Sequence, residues 1–333
     1  DTPKGRVALI SATSSGPQYM IAADQWRDGM GRPGANMIRS ITQHVVDKVT
    51  FDAIRRWRNK MLGADLDPST QSMLGRKRPS LGEETILEDN DQQFFLPDLH
   101  PASQYPNPSG VMIVLGNEFR THLFPYVDDI ANNIQRIKEA SAMADWVVVT
   151  MHDHDDGKTA NDPSDIAVIF GRAAIDAGAH VFAVHGPHRD RGIEIYKGRP
   201  IFYSLAHLVF QHELAAKMPF ENMLRVGLGW ESTTADFLDQ TGKGALGGFT
   251  EPFRWRNAFA TVEFQKGSLV EVRLHPLDLG HGLPRSQRGR PMLAEGEVAQ
   301  EILQMFIRLS SPLGTTIDIE GDTGVIKNQQ DSH

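Results

Sequence analysis

Four histidines and two aspartates crowd the ends of two short apolar runs. Residues 146–151, WVVVTM, run into His152, Asp153, His154 and Asp155. Residues 181–184, VFAV, run into His185, and His188 follows three positions on. Neutral imidazole binds zinc, iron, nickel and manganese, and carboxylate oxygens widen that range. Histidine also titrates near neutral pH and works as an acid or base without any metal. Residue type alone leaves both chemistries open. The pair Gly186-Pro187 makes a turn that lets His188 swing back towards His185.

An apolar run of this length between polar residues reads as a buried strand. Ligands of an α/β sheet bind outside the carboxyl ends of its strands, which is where both clusters fall. The flanking pattern fits such a sheet. Residues 126–144 read as an amphipathic helix, with Val127, Ile130, Ile134, Ile137 and Ala140 along one stripe. Asp162 is placed to cap a second helix that starts at Pro163, since proline's missing N–H is not needed in a first turn. Ile166, Ile169, Phe170, Ala173 and Ala177 form its apolar face, and Gly178 ends it. Helix, strand, helix and strand in succession define an α/β region.

Upstream, the pattern predicts a strand over 6–12 and an ordered turn over 16–39 that contains GRPGANMIR. A helix over 40–61 follows, with Ile54, Trp57 and Met61 on one face, and then a strand over 111–115. Residues 62–108 are polar with scattered Pro and Gly, and read as a long insertion or lid. Downstream come hairpins over 193–204 and 259–274, turning at Lys197-Gly198 and Lys266-Gly267. A helix over 297–309 with Val298, Ile302, Met305, Phe306 and Leu309 inward precedes a short strand pair over 315–325.

The 333 residues are 40% hydrophobic and 23% charged, a balance that supports a globular core. The net charge of -8 argues against nucleic acid as a partner, because phosphate binding needs a basic footprint. Local basic loops still allow a small anionic substrate. Arg285, Arg288 and Arg290 form one such loop, able to pair with carboxylate or phosphate or simply to be solvated. There are no cysteines, which excludes disulfides, zinc–thiolate sites and cysteine nucleophiles. No apolar run approaches the length of a membrane span.

Other motifs carry less. His207 follows a predicted strand and either lines the same edge or is a surface histidine. His212-Glu213 begins like a zinc-protease helix, but Ala216 stands where the second histidine belongs. GRPG and GKGALGG lack the spacing of a phosphate loop or dinucleotide fingerprint and read as turns.

Residues 177–210, AGAHVFAVHGPHRDRGIEIYKGRPIFYSLAHLVF, resemble the capsule-biosynthesis CapA family of poly-γ-glutamate synthesis proteins. The likeness continues through GRPGANMIR (31–39) and RSQRGRPML (285–293). That family looks like a branch of the calcineurin-like metallophosphoesterases. The resemblance implies an α/β fold, a layered αββα sandwich with its metal centre at the strand ends. Carried across by position, His152, His185 and His188 are the metal-site candidates, for one or more divalent ions such as Mn, Zn or Fe. This sequence departs from the family at Val184, where the family has glycine, and at Ala206-His207, where it has Gly-Asn. An early Gly-Asp, an Asn-x-Glu and an Asn-His of the family have no counterpart. One domain over 1–333 is expected, with the insertion at about 24–110, a β-rich C-terminal part over 255–333 and the family's N-terminal part absent.

Two functions follow from this reading. The first is a metal-dependent hydrolase acting on a phosphoester or a γ-glutamyl or other amide bond. Asp153 or His154 would orient water or protonate the leaving group. Arg189, Arg191, Arg285, Arg288 and His207 would hold an anionic small molecule or polymer. The second is a non-catalytic component of poly-γ-glutamate synthesis or export that binds polyanion. An oligomer is expected, together with a companion chain or upstream segment that completes the metal site. Cellular location, in or outside a bacterial cytoplasm, is left open.

Overall fold

The computed structural model describes residues 2–3, 5–16, 20–23, 25, 27–62, 91–97, 110–211, 215–242, 251–284 and 286–327. The insertion's residues 63–90 and 98–109, the His212-Glu213 pair, most of GKGALGGF and Arg285 lie outside the described residues. The protein is a mixed α/β chain that divides into two compact units, Asp1–Phe182 and Ala183–His333.

The first unit runs through β1 (Val7–Thr13), β2 (Ser40–Val46), α1 (Lys48–Leu62), β3 (Gln93–Pro97), β4 (Gly110–Leu115) and β5 (Arg120–Pro125). Then come α2 (Val127–Met143), β6 (Trp146–His152) and α3 (Asp165–Asp176), after which β7 (Val181–His185) carries the chain into the second unit. β1 and β6 are parallel, in register from Val7 opposite Trp146 to Thr13 opposite His152. Burial alternates along β6: Val147, Val149 and Met151 are fully buried, while the residues between them are half-buried. With Ile137 of α2 and Ile166, Phe170 and Phe182, they belong to the buried core, where Phe170 meets Phe182 edge to face at 5.4 Å.

GRPGANMIR is held by a polar seam on α2. Asn36 donates to the Ser11 carbonyl at 3.0 Å and to Asn133 Oδ1 at 2.7 Å. Arg39 grips Asp129 through Nε at 2.8 Å and Nη2 at 2.6 Å, and its backbone N–H donates to the same carboxylate. That hydrogen bonding, beside the Asp129 charge, raises the Arg39 pKa above its ordinary value. Asp129, Asn133 and Ile137 therefore form the buried line of α2, while Val127, expected inward, is exposed.

The predicted helix over 40–61 is helical only from Lys48 onward. Ser40–Val46 is a strand instead, rich in β-branched residues and seated between β4 and β5 in the order β3-β4-β2-β5. It runs parallel to β4 and antiparallel to β5. Phe51, not Trp57 or Met61, points α1 into this sheet, meeting Phe94 at 4.9 Å with Val46 and Ile113 alongside. Trp57 and Met61 are exposed. Here tertiary pairing overrides a local apolar spacing that also suits a helix.

The second unit contains the hairpin β8 (Ile193–Tyr196) and β9 (Arg199–Phe202), then α4 (Phe220–Arg225) and α5 (Thr234–Gly242). A longer antiparallel pair follows, β10 (Arg256–Gln265) and β11 (Ser268–Asp278), with β12 (Met292–Leu293) paired to β11. α6 (Gly296–Ser310), β13 (Asp318–Glu320) and β14 (Thr323–Lys327) complete it, in the sheet order β10-β11-β14-β13. Both predicted hairpins are present. Each turns on Lys-Gly with φ positive at both residues, 49° and 72° at Lys197-Gly198 and 49° and 82° at Lys266-Gly267. That is the turn whose twist matches its strands. α6 buries Ala299, Ile302, Leu303 and Phe306. Its Ser310 hydroxyl accepts from the Ile193 N–H at 3.0 Å, tying the helix to β8.

The contrast between buried and exposed aromatics in the first unit is measurable. Phe170→Ala should cost about 3–5 kcal/mol in urea unfolding, because it leaves a cavity against Phe182. Trp57→Ala should stay within about 0.5 kcal/mol of the parent protein.

Candidate functional site

In the first unit the carboxyl ends of β1 and β6 lie side by side, and small hydroxyl residues stitch them together. Ser14 N–H donates to the His152 carbonyl at 2.9 Å. Thr13 Oγ1 donates to the Ser15 carbonyl at 2.7 Å and reaches the His152 carbonyl at 3.2 Å. The alternation of β6 continues past its last residue. Asp153 falls on the buried side with Met151 and is fully buried. Its Oδ1 accepts from Ser14 Oγ at 2.5 Å and from the Asp155 N–H at 3.2 Å, and its Oδ2 accepts from Ser164 Oγ at 2.5 Å. Ser164 is the N-cap of α3, since its hydroxyl also accepts from the Ala167 N–H at 3.1 Å. The predicted cap, Asp162, instead closes a turn on Thr159 through the Thr159 N–H and hydroxyl.

His152 and His154 fall on the other side of the strand end. Residues two apart along extended backbone share a face. Their Nε2 atoms are 3.0 Å apart, and the rings meet edge to face at 4.7 Å. His152 is half-buried and His154 exposed, and the His154 N–H donates to Ser15 Oγ at 3.0 Å.

The second unit holds the other predicted residues. His185 is the last residue of β7 and is exposed. His188 follows the Gly186 turn (φ 118°) and itself sits in the left-handed region at φ 57°, a conformation that costs a side-chain-bearing residue and recurs at functional sites. Its ring stacks on His207 at 5.0 Å, and His207 stacks on Phe210 at 4.6 Å. These three residues help line a cavity of about 420 Å³. Phe210 then meets Trp255 edge to face at 4.8 Å. The Arg189 guanidinium lies 5.3 Å from the Phe253 ring centre and Arg254 lies 5.1 Å from it, while Arg288 lies 5.2 Å from that of Trp255. Arg191 is fully buried. Asp190 is also buried, without a hydrogen-bond partner for either carboxylate oxygen among the described residues. Burial drives its pKa well above the ordinary carboxylate range. Among the described residues, neither unit gathers three His, Asp or Glu side chains into a ready-made metal cage.

Sequence reasoning passed over Ser14, Ser15 and Ser164, which hold the first cluster, and Arg254 and Trp255, which flank the second. A signal existed for Ser14 and Ser15 alone: SATSS closes an apolar strand with small hydroxyls, the residues suited to backbone capping. Nothing in the pattern around FRW marked Arg254.

The model of the family described as bacterial capsule synthesis protein PGA_cap matches residues 1–212, and the chain belongs to that family. Two uncharacterized proteins of Sinorhizobium fredii, y4sH and y4uA, are each 29% identical over 98% of this chain. The chain spans 66% of the length of each. The PGA biosynthesis protein CapA of Bacillus subtilis is 44% identical over 80 residues, 23% of this chain and 20% of that protein. A probable polyglutamine synthesis accessory protein of Mycobacterium tuberculosis is 33% identical over 100 residues, 30% of this chain and 25% of that one. The CapA likeness read from the motifs thus holds.

The departure at Ala206 has a backbone meaning. Ala206 has φ 50°, so the family's glycine there suits a left-handed position that alanine enters only under strain. Ala206→Gly should therefore raise unfolding free energy by up to about 1 kcal/mol. Ser164→Ala should lower it by about 2–3 kcal/mol, since it removes the cap of α3 and leaves one Asp153 oxygen buried without its donor. Equilibrium unfolding of the two variants beside the parent protein measures both.

Proposed function

We propose that the chain is a metal-dependent hydrolase with metallophosphoesterase layering, acting on an anionic substrate of capsule or poly-γ-glutamate metabolism. One observation carries this reading: β6 ends on His152 and β7 ends on His185, in a chain of the PGA_cap family. Imidazole is a donor type that suits a divalent cation. Imidazole nitrogens stand at both strand ends, and His188 follows the Gly186 turn in a left-handed conformation. His152, His185 and His188 would hold the ion, with Zn, Mn and Fe all compatible with nitrogen donors. A bound dication supplies a water of lowered pKa and a polarised scissile bond.

The chain's own residues do the rest. Asp153, tied to Ser14 and Ser164, positions the strand end and does not itself face substrate. His154 is the exposed imidazole beside His152, placed to orient water or pass a proton. Arg189, Arg254 and Arg288 each hold the guanidinium over an aromatic ring, with Arg254 also paired to Glu251 at 3.1 Å, and they would meet carboxylate or phosphate oxygens. His207 and Phe210 wall the adjoining cavity. The bond broken is a phosphoester or a γ-glutamyl amide.

A second reading is an accessory protein that binds polyanion without turnover. The same aromatic-backed arginines favour it, because spaced guanidiniums suit a polymer of carboxylates. The accessory protein named among the relatives points the same way. In either reading a companion segment would pair with the outer side of β1. Among the described residues, β1 is an edge strand over Val7–Ala12, and its Val7 and Leu9 are 46% and 67% exposed.

Purified protein should carry a divalent metal and hydrolyse a member of a phosphoester and γ-glutamyl amide panel. His185→Ala and His188→Ala should each lose most of that metal while keeping the parental circular dichroism. Equal metal content in both variants and the parent would sink the ligand assignment. A metal-free protein that retains polyglutamate without turning it over would establish the accessory reading.

A further inference from the structure

We infer that His154 is a second metal-binding imidazole beside His152, so that the end of β6 presents a two-nitrogen clamp to one divalent cation. This rests on the metal-dependent reading above and extends it to a residue that the family resemblance does not assign as a ligand.

Three observations in the first unit carry it. The first is bite. Two nitrogens bound to a tetrahedral zinc at about 2.0–2.1 Å each stand roughly 3.3 Å apart. The Nε2 atoms of His152 and His154 are 3.0 Å apart, so opening by a few tenths of an ångström brings them to that spacing. The second is direction. Burial alternates along the strand end, so Met151 and Asp153 turn inward while His152 and His154 turn to the opposite, more accessible side. A cation reaches both imidazoles from solvent without displacing any core residue.

The third is preorganisation. The chain beneath the pair is held at each residue, through the main chain at His152 and His154 and through the side chain at Asp153. The His152 carbonyl accepts from the Ser14 N–H, Asp153 is held by Ser14 and Ser164, and the His154 N–H is held by Ser15 Oγ. A metal ligand is effective when its backbone and orientation are set by such outer contacts. These contacts also leave Asp153 a positioning residue, since its two oxygens already receive three donors. The competing account of a 3.0 Å approach is a plain N–H···N hydrogen bond between two neutral imidazoles, and it predicts no change in metal binding when His154 is lost.

Cobalt(II) titration of the full chain, followed by visible absorption and by competition with a chelating dye, separates the two accounts. His154→Ala should weaken cobalt binding at least about tenfold, the scale on which even outer-sphere partners matter, and should shift the visible band. Ser15→Ala keeps both imidazoles and loosens only the backbone, so it should weaken binding less and keep the parental spectrum. His154→Ala with parental affinity and an unchanged spectrum overturns the inference while leaving the metal-dependent reading intact. A parent protein that takes up neither cobalt nor zinc overturns both. Circular dichroism of each variant verifies the fold, and His154 is exposed, so its removal leaves the core untouched.

Discussion

A carboxylate taken out of water costs several kcal/mol unless donors replace its hydration. Asp153 is fully buried at the end of β6 and meets that cost with three donors: the Ser14 hydroxyl, the Ser164 hydroxyl and the Asp155 N–H. Each donor belongs to a different piece of the first unit. Ser14 follows β1, Ser164 begins α3, and Asp155 starts the loop between β6 and α3. One side chain therefore fixes the relative placement of two strand ends and a helix start. The imidazoles of His152 and His154 inherit their position from it, one residue on either side.

The same device recurs farther back in that unit. Asn36 and Arg39 reach across to Asn133 and Asp129, so the GRPGANMIR segment is pinned to α2 by hydrogen bonds and an ion pair. Arg39 is partly exposed, so the Coulomb part of that pair is screened, and its forked geometry on one carboxylate matters more than its charge. Polar contacts of this kind contribute specificity of placement, while Val147, Val149, Met151 and Phe170 supply the burial that holds the unit together. In the second unit, aromatic rings take the positioning role. Phe253 and Trp255 back the arginines, and the His188–His207–Phe210 stack forms a wall of the cavity.

Departures from the family pattern acquire physical content against this background. Histidine at 207 places an imidazole where the family has an amide, and that imidazole lies against His188. Alanine at 206 accepts a left-handed backbone that glycine enters freely. Two non-glycine residues at positive φ thus meet at one ring stack: His188 belongs to it, and Ala206 precedes its His207. Strain gathered at one place in a fold is a mark of use more than of neglect.

By itself the sequence determined the strands that end in histidine, the helices between them, both Lys-Gly hairpins and the family. Each of these rests on local signals: period-two or period-3.6 burial, turn dipeptides and a contiguous motif. Only the tertiary structure decided that Ser40–Val46 is a strand, because its neighbours β4 and β5 come from far along the chain. It alone placed Asp153 among serines 11 and 139 residues away, set Trp255 against Phe210, and brought Arg189 to the ring that Arg254 also covers. Such groupings depend on which distant segments pack together, and no spacing within a single stretch of sequence records that.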